Sequence, residues 1–260
     1  SPVNDDLSFL KLDEVETFLN EIEDLGLPTR EIGFTGGEPF INPDLISMLE
    51  LCLSKKFRVL VLTNAMKPMM KTTSALEKLR QNFHDNLVFR ISIDHYDKRR
   101  HEMERGIGTW EASISGLIWL LNQGFECRVA GRRTTLETEE QSRLGYAKLF
   151  AAHSIHVNAQ DPEKLVLFPE MDLSKPTQEI STACLSNLNV EQDQLMCSNS
   201  RMVIRRKNTN KPTVVACTLI TQDRHFELGS DLAGGSKTIA LNHPFCAQFC
   251  VLGGATCSNG

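Results

Sequence analysis

The sequence predicts an α/β fold, in which helices and strands alternate around a parallel sheet or barrel, followed by a small cysteine-rich α+β extension. From residue 12 to about 169, apolar stripes at helical spacing alternate with short apolar runs typical of buried parallel strands. After Pro169 the helical periodicity weakens, and six of the eight cysteines lie in that part of the chain. We therefore expect one domain over residues 1–170 and a second over residues 171–260.

The individual elements follow from the same patterns. The first helix carries an apolar stripe from Leu12 to Leu25 and ends at Gly26. A strand is normally expected before such a helix in a βα fold, and this sequence shows none. The expected strands are Glu31–Phe34, Arg58–Leu62, Leu87–Ile93, Phe125–Ala130 and Leu165–Phe168, with a hairpin over Met202–Ile204 and Thr213–Ala216. The helices between them are expected near Asn42–Leu53, Leu76–Phe83, Trp110–Asn122 and Glu139–Ala152, and the basic run Lys98-Arg99-Arg100 is expected in an exposed loop.

Composition and charge exclude several classes of function. Apolar residues make up 41% of the 260 residues and the formal net charge is −5, so we expect a sizeable core and no general affinity for nucleic acid. No apolar run reaches the length of a membrane span, and the N-terminus is polar and acidic, so we expect no membrane association and no secretory leader. The expected location is the cytoplasm, where cysteines are more often metal ligands or buried thiols than disulfides.

Polar residues follow four consecutive predicted strands. They are Thr35-Gly36-Gly37-Glu38-Pro39, Thr63-Asn64, Ser92 with Asp94, and Arg132-Arg133. The carboxyl ends of parallel strands meet at one edge, so these groups are expected to converge. Glycines without a Cβ let the backbone approach a ligand, while carboxylates and arginine suit a zwitterion. Each group alone is also consistent with an ordinary strand end, and only one of Arg132 and Arg133 is expected to face inward.

This pattern resembles the radical S-adenosylmethionine (radical SAM) enzymes over residues 10 to about 170. The segment after the third strand is also similar to the Ser-x-Asp-Gly…His…Arg…Gly pattern of one branch of that family. The matching residues are Ser92-Ile93-Asp94, His101, Arg105-Gly106 and Gly108-Thr109-Trp110. That branch carries a cysteine-rich C-terminal extension for an auxiliary iron–sulfur cluster, which the end of this chain resembles loosely. His95 stands where the branch has glycine.

The resemblance implies a fold and a ligand for each strand end. The fold would be a partial (β/α)6-type TIM-like barrel lacking its first strand. Glu38, in the Gly36-Gly37-Glu38-Pro39 turn, would hold the amino group of SAM with the backbone of the two glycines. Ser92 and Asp94 would lie near the ribose, Asn64 and Arg132 near the ribose or the carboxylate, and the last strand near the adenine.

The resemblance also implies a reaction. In the family, a reduced [4Fe–4S] cluster injects an electron into SAM, and the resulting 5′-deoxyadenosyl radical abstracts a hydrogen atom from the substrate. An external one-electron reductant, similar to flavodoxin or ferredoxin, would supply the electron. The substrate would be a peptide or a small molecule, and residues 95–110 and 170–260 do not discriminate between them.

One departure from the family pattern is serious. The Cys-x3-Cys-x2-Cys motif that holds the catalytic cluster is absent from this chain. Either the chain is a fragment without its first strand and cysteine loop, or it is a degenerate barrel, and the unpartnered first helix favours the fragment. The alternative function is a non-catalytic module that binds SAM or a metal and keeps a structural zinc or iron–sulfur site.

The C-terminal cysteines are candidate metal ligands. Cys246, Cys250 and Cys257 are closely spaced among small residues, and thiolates are soft ligands that suit a cluster or zinc. Cys197 and Cys217 flank the predicted hairpin, which is similar to the first half of the auxiliary-cluster extension. Spacing does not separate iron–sulfur from zinc. Cys52 and Cys127, on a helix and in a strand, are expected to be buried free thiols.

Overall fold

The structure is a computed structural model that describes residues 6–171, 180, 182–188 and 190–251. Within it the chain forms two compact units. The first covers Pro28–Leu167, and the second joins the described residues before Pro28 to those from Phe168 onward. The predicted boundary near residue 170 lies close to this division, but the first helix, expected in the first domain, falls in the second unit. The limits of the domains therefore stay a prediction.

The described residues of the two units form nine strands and ten α-helices, and the strands and helices alternate in the first unit. In chain order the strands are β1 (Leu7–Ser8), β2 (Glu31–Phe34), β3 (Arg58–Thr63), β4 (Leu87–Ser92), β5 (Glu126–Arg133), β6 (Leu165–Pro169), β7 (Met202–Arg206), β8 (Thr213–Val215) and β9 (Glu227–Gly229). The helices are α1 (Leu12–Asp24), α2 (Leu45–Ser54), α3 (Lys67–Met70), α4 (Thr73–Phe83), α5 (Lys98–Arg105), α6 (Thr109–Asn122), α7 (Glu139–Ala152), α8 (Thr182–Asn187), α9 (Met196–Asn199) and α10 (Leu232–Gly235), with a π-helix at Cys246–Val251.

The first unit is built on a five-stranded sheet in the order β2-β3-β4-β5-β6. The strands run parallel and form a curled half-barrel, with Val61 opposite Phe89 and Ile91 opposite Val129. All four side chains are fully buried, as expected of strands covered on both faces. The predicted α/β fold, a partial TIM-like barrel, is confirmed. Its carboxyl edge carries the residues of the candidate site.

Two local predictions in this unit were wrong. Lys98-Arg99-Arg100 was expected in an exposed loop, and these residues instead begin α5, where the Asp97 side chain accepts a hydrogen bond from the Arg100 amide at 3.0 Å. The helix expected from Asn42 begins three residues later as α2. The Asn42 side chain accepts from the Asp44 amide at 3.0 Å and closes a turn before the helix.

The second unit contains an antiparallel sheet in the order β1-β7-β8-β9. The predicted hairpin is confirmed, with Met202 opposite Val215. A strand does precede the first helix, but β1 pairs with β7 in this sheet. Buried Arg206 ties the sheet together, since it bonds to Asp6 at 3.0 Å and to Glu227 at 2.7 Å. Among the described helices of the whole chain, none is both long and apolar enough to cross a membrane.

Candidate functional site

The first strand end forms an open turn. Gly36 has a φ of +151°, a conformation that glycine adopts without strain. A Cβ added at Gly36 or Gly37 would meet no described atom within 4 Å, so the backbone borders free space on this side. Glu38 follows with an extended backbone, and Pro39 opens a short 3-10 turn over Pro39–Ile41. The turn therefore offers bare backbone next to a carboxylate, as predicted for a ligand approached closely by the chain.

Glu38 is held inside this turn by three hydrogen bonds. Its Oε1 accepts from the Thr63 hydroxyl at 2.8 Å and from the Phe40 amide at 3.2 Å, and its Oε2 accepts from the Asn64 amide at 2.9 Å. The residue is only 7% exposed. Burial raises the pKa of Glu38 above its usual value, although the three hydrogen bonds oppose the rise. No Lys, Arg or His of the described chain lies within salt-bridge distance of this carboxylate.

The end of β3 supports Glu38 through the Thr63 hydroxyl and the backbone that follows it. The predicted residue Asn64 contributes its amide, while its side chain accepts from the Met66 amide at 2.9 Å. Ala65 has a φ of +57°, and its amide donates to the Thr63 hydroxyl at 3.0 Å. Helix α6 approaches this loop so closely that a Cβ on Gly116 would lie 1.8 Å from the Ala65 carbonyl oxygen. The loop conformation is thus fixed by packing from outside the site.

Asp94, predicted to lie near the ribose, is already engaged by arginine. Arg105 binds it in a fork, with Nε 2.6 Å from Oδ2 and Nη2 3.2 Å from Oδ1. The Arg132 Nε lies 3.5 Å from Oδ1, and the Arg132 amide donates to the Asp94 carbonyl at 2.9 Å. Ser92, the other predicted ribose contact, is half-buried two residues earlier. Asp94 therefore connects the end of β4 to α5 and β5 by hydrogen bonds and ion pairs.

The two arginines at the end of β5 point to different partners, as strand alternation predicts. Arg132 turns to Asp94 and to Glu104 at 3.5 Å, and its side chain remains 57% exposed. Arg133 pairs with Glu139 at the start of α7, at 3.6 Å. Arg132 is thus a cation at the sheet edge that keeps much of its surface for a ligand.

Sequence reasoning did not find Arg105 or His101 as site residues, although both lie in the family-like segment. Both are on α5, four residues apart, and this spacing places them on one face of a helix. His101 is fully buried, and its Nδ1 accepts from the Asp94 amide at 3.2 Å. An acidic N-cap at Asp97 was the available signal for a helix here, and the basic run Lys98-Arg99-Arg100 obscured it.

His95 begins a second polar cluster at the same end of β4. Its Nδ1 accepts from the Asp97 amide at 2.9 Å, and its Nε2 lies 3.5 Å from Glu137 after β5. Burial lowers the pKa of His95, although the Glu137 charge opposes this. Burial alone would raise the pKa of Glu137, but hydrogen bonds from Tyr96 and Arg100 and the nearby charges lower it on balance. His95, which stands where the family branch has glycine, therefore contacts both the segment after β4 and the segment after β5.

The predicted metal ligands lie in the second unit. Cys197, Cys217, Cys246 and Cys250 line one apolar cavity of about 20 Å³, together with side chains such as Phe245. Burial raises the pKa of the Cys197 and Cys246 thiols. Among the described residues, however, no three His, Cys, Asp or Glu side chains are arranged so that they could hold a metal ion. Cys257 lies outside the described residues.

The remaining cysteines follow expectation. Cys52 and Cys127 are buried free thiols, and burial raises the pKa of each to about 12. Cys184 on α8 is half-buried. Four cysteines of the second unit therefore line one cavity, while the two thiols of the first unit belong to its core.

Comparison with known proteins agrees with this geometry. Residues 3–144, more than half of the chain, match the family model described as the Radical SAM superfamily. The AdoMet-dependent heme synthase of Methanosarcina barkeri (strain Fusaro / DSM 804) is 27% identical over 150 residues, which are 57% of this chain and 41% of that relative. The chain thus spans less than half the length of the curated relative.

Solved structures share the fold. Native anSMEcpe with bound AdoMet has a TM-score of 0.56 at 12% identity, over 93% of this chain and 74% of the other. The same protein with bound AdoMet and Kp18Cys peptide has a TM-score of 0.56 at 12% identity, over 89% and 71%. At these identities the likeness concerns the fold alone. With the half-barrel, its polar strand ends and the family match in agreement, the chain belongs to the radical SAM superfamily.

Proposed function

We propose that residues 28–167 bind SAM at the carboxyl ends of β2 to β5, as part of a radical SAM enzyme that cleaves SAM to a 5′-deoxyadenosyl radical for hydrogen abstraction. The observation that carries the proposal is Glu38. Its carboxylate is buried, oriented by three donors and forms no salt bridge among the described residues, where Arg105 acts on its pKa only from a longer distance. A buried carboxylate of this kind is completed by a ligand that brings a positive charge.

The neighbouring groups suit the rest of the ligand. The open backbone at Gly36 and Gly37 gives room for the methionine part of SAM beside Glu38. The exposed guanidinium of Arg132 suits a carboxylate, since arginine binds carboxylates in a planar fork. Asn64 is proposed to act through its backbone, which orients Glu38. Ser92 and Asp94 are proposed to border the ribose, with Asp94 also organising the arginines.

The radical chemistry needs a group that these residues do not hold. A reduced [4Fe–4S] cluster, when bound, supplies the electron that cleaves SAM. The Cys-x3-Cys-x2-Cys ligands are absent from the 260 residues, and we assign none of the present cysteines to that cluster. We therefore propose SAM binding for these residues, and SAM cleavage for the protein when cluster ligands from elsewhere and a one-electron reductant are supplied.

Isothermal titration of SAM into the purified chain tests the proposal. We expect saturable binding of one SAM, weakened roughly 10- to 100-fold in Glu38→Gln, because a charge-assisted hydrogen bond contributes about 1.5–3 kcal/mol. Glu111→Gln is the matched control, since this exposed carboxylate pairs only with Lys98 among the described residues. An unaltered chain that binds no SAM, or equal losses in both variants, would contradict the proposal.

A second proposal concerns the cysteine cavity. We propose that Cys197, Cys217, Cys246 and Cys250 bind an auxiliary iron–sulfur cluster or a structural zinc ion, with Cys257 as a further candidate. Support comes from the shared apolar cavity and from the softness of four thiolates. Since no three donors are arranged for a metal among the described residues, binding must draw the thiols together and release their protons.

Anaerobic reconstitution separates the two metals. After incubation with iron and sulfide, or with zinc, the bound metal is measured by elemental analysis and by charge-transfer absorption. Cys250→Ala is expected to lose most of the bound metal, whereas Cys127→Ala, which removes a buried thiol of the other unit, is expected to keep it. Equal metal content in both variants would reject the cavity as the site.

The substrate class remains a peptide or a small molecule. One relative is named for heme synthesis, and one structure of similar fold contains a peptide. Each fits one of the two classes, so both are proposed. Trials of the reconstituted full-length enzyme with either class, scored by transfer of substrate deuterium to 5′-deoxyadenosine, would discriminate between them.

A further inference from the structure

We propose that His101 is a positioning residue of the SAM site, which holds the backbone at the carboxyl end of β4 so that Asp94 can organise Arg105 and Arg132. This inference rests on the proposed SAM site. Neither the resemblance nor the family match assigns a role to His101. Its role is argued from a buried hydrogen bond and from the unusual state of its ring.

The hydrogen bond fixes the tautomer of the ring. The Nδ1 atom accepts from the Asp94 amide at 3.2 Å, so Nδ1 carries a lone pair and the proton of the neutral ring lies on Nε2. This Nε2 is buried and has no partner among the described residues. The ring packs edge-on against Trp110, with 5.4 Å between centroids. Burial also lowers the pKa of His101, which favours the neutral form that the bond requires.

This state is unfavourable for a residue that serves only as packing. A leucine or phenylalanine would fill the space without leaving a polar N–H group unpaired in the core. What the imidazole adds is the acceptor for the Asp94 amide, which would otherwise be an unpaired buried donor. We infer that the acceptor nitrogen is the reason for a histidine at this position.

The same helix supplies the second constraint on Asp94. His101 bonds the Asp94 amide, and Arg105, one turn later on α5, binds the Asp94 carboxylate in a fork. The Asp94 carbonyl accepts the amide of Arg132, whose exposed guanidinium is the proposed ligand for a carboxylate. All three polar groups of Asp94 are therefore engaged, and the position of Arg132 depends on them.

Three substitutions separate positioning from packing. His101→Asn keeps an acceptor at the position of Nδ1, His101→Gln places it near Nε2, and His101→Leu removes it. Two quantities are measured on the full chain: hydrogen exchange of the Asp94 amide by NMR, and SAM affinity by titration. Exposed His156, changed to leucine, is the control for loss of a histidine.

We expect the Leu and Gln variants to exchange the Asp94 amide at least tenfold faster and to bind SAM about five- to tenfold more weakly. The Asn variant should restore both values to within about twofold. The proposal would be overturned if the Asp94 amide exchanged equally fast in the Asn and Gln variants. It would also be overturned if the Asn variant regained the slow exchange of the unaltered chain but not its SAM affinity. If the Leu variant does not fold, the Asn and Gln pair decides alone.

The proposed function and this inference fail in different ways. If the unaltered chain binds no SAM, the proposed SAM site is rejected. Faster exchange of the Asp94 amide in the Gln variant but not in the Asn variant would then still support His101 as the residue that positions the end of β4. Unchanged exchange in all three variants would reject that role even if SAM binds.

Discussion

The two buried carboxylates at the carboxyl edge of the sheet are held in opposite ways. Glu38, after β2, receives three hydrogen bonds from neutral donors and no ion pair within the described chain. Asp94, after β4, is bound by Arg105 in a fork and approached by Arg132. One carboxylate has no direct ion pair and only a longer-range interaction with Arg105, while the other is paired directly with arginine.

This difference separates ligand binding from scaffolding. A carboxylate whose burial is not compensated by a cation gains most from a cationic ligand, which suits Glu38 for the amino group of SAM. A carboxylate paired inside the protein gains little from a further cation, but its loss leaves an arginine unpaired. The proposed site thus divides into a binding half around Glu38 at β2 and β3, and a supporting half at β4 and β5, where Asp94 organises Arg132, the proposed partner of the SAM carboxylate.

The largest expected effect is that Glu38→Gln mainly weakens SAM binding, whereas Asp94→Asn mainly lowers the free energy of unfolding. The first should weaken SAM binding by roughly 10- to 100-fold and change the free energy of unfolding by no more than about 1 kcal/mol, since relief from burial offsets a disturbed hydrogen bond. The second should lower the free energy of unfolding by about 2 kcal/mol, because partly buried Arg105 loses its partner. Urea denaturation and SAM titration measure the two quantities.

Glu111→Gln is the control for both measurements, because it removes an exposed carboxylate. The pattern would be broken if Asp94→Asn weakened SAM binding more than Glu38→Gln did. The proposed contact of Asp94 with the ribose would then contribute more than Glu38 does, and the mainly supporting role assigned to Asp94 would be wrong.

Two glycines allow each half to be disturbed separately. A Cβ at Gly116 would lie 1.8 Å from the Ala65 carbonyl, beside the loop that orients Glu38. A Cβ at Gly131 would lie 2.1 Å from the Tyr146 hydroxyl, which donates to the Ile93 carbonyl next to Asp94 at 2.6 Å. Each alanine substitution should lower the free energy of unfolding by about 2 kcal/mol, as overpacking does.

SAM affinity should discriminate between these variants. Gly116→Ala displaces the loop that orients Glu38, so we expect it to weaken SAM binding more than Gly131→Ala does. Gly33→Ala serves as the stability control, since its added Cβ meets no described atom within 4 Å. Unfolding free energies equal to that control would show that the close contacts relax without cost.

Local sequence signals predicted the sheet and drew attention to the strand ends with Glu38, Asp94 and Arg132, but they did not reveal the helix that holds Asp94. The strands could be located because short apolar runs recur between helical stripes, and the Gly36-Gly37-Glu38 turn is continuous in sequence. Helix α5 was missed because Lys98-Arg99-Arg100 looks like solvent-exposed chain, although an aspartate caps it. The bonds of Asp94 to His101 and Arg105 depended on finding that helix.

The cysteines show a second limit of sequence reasoning. Spacing identified the cysteine-rich segment, yet Cys197 and Cys217 meet Cys246 and Cys250 in one cavity only through the fold of the second unit. The pairing of β1 with β7 is equally non-local, since Leu7 lies opposite Arg206. Such contacts between distant segments leave no periodic signal along the chain.

The pH dependence of SAM binding should also reflect Glu38. Burial raises the pKa of Glu38 above the usual carboxyl value, so the ionised form that binds an ammonium is lost at a higher pH than for an exposed glutamate. While the amino group of SAM stays protonated, affinity should be constant above this pKa and fall by up to about tenfold per pH unit below it. Titrations between about pH 5 and pH 7.5 test this, and the acid limb should vanish in Glu38→Gln.

The smallest effect is expected from Thr63→Val, which keeps the shape of a buried side chain and removes one hydroxyl. That hydroxyl donates to Glu38 at 2.8 Å and accepts from the Ala65 amide at 3.0 Å. Its loss removes a bond that favours the ionised carboxylate, so the pKa of Glu38 should rise further. SAM affinity should fall by roughly two- to tenfold near neutral pH, as expected for one hydrogen bond of about 0.5–1.5 kcal/mol.

A larger loss is expected at acid pH, because protonation of Glu38 then begins at a higher pH than in the unaltered chain. Titration at two pH values therefore distinguishes a tuned carboxylate from a general loosening of the site, which would lower affinity equally at both. Thr17→Val is the control, since among the described residues this exposed hydroxyl bonds only a carbonyl within α1. Equal affinities of the Thr63 variant and the unaltered chain at both pH values would show that Glu38 does not need this donor, and orientation of the carboxylate would then rest on the Asn64 and Phe40 amides alone.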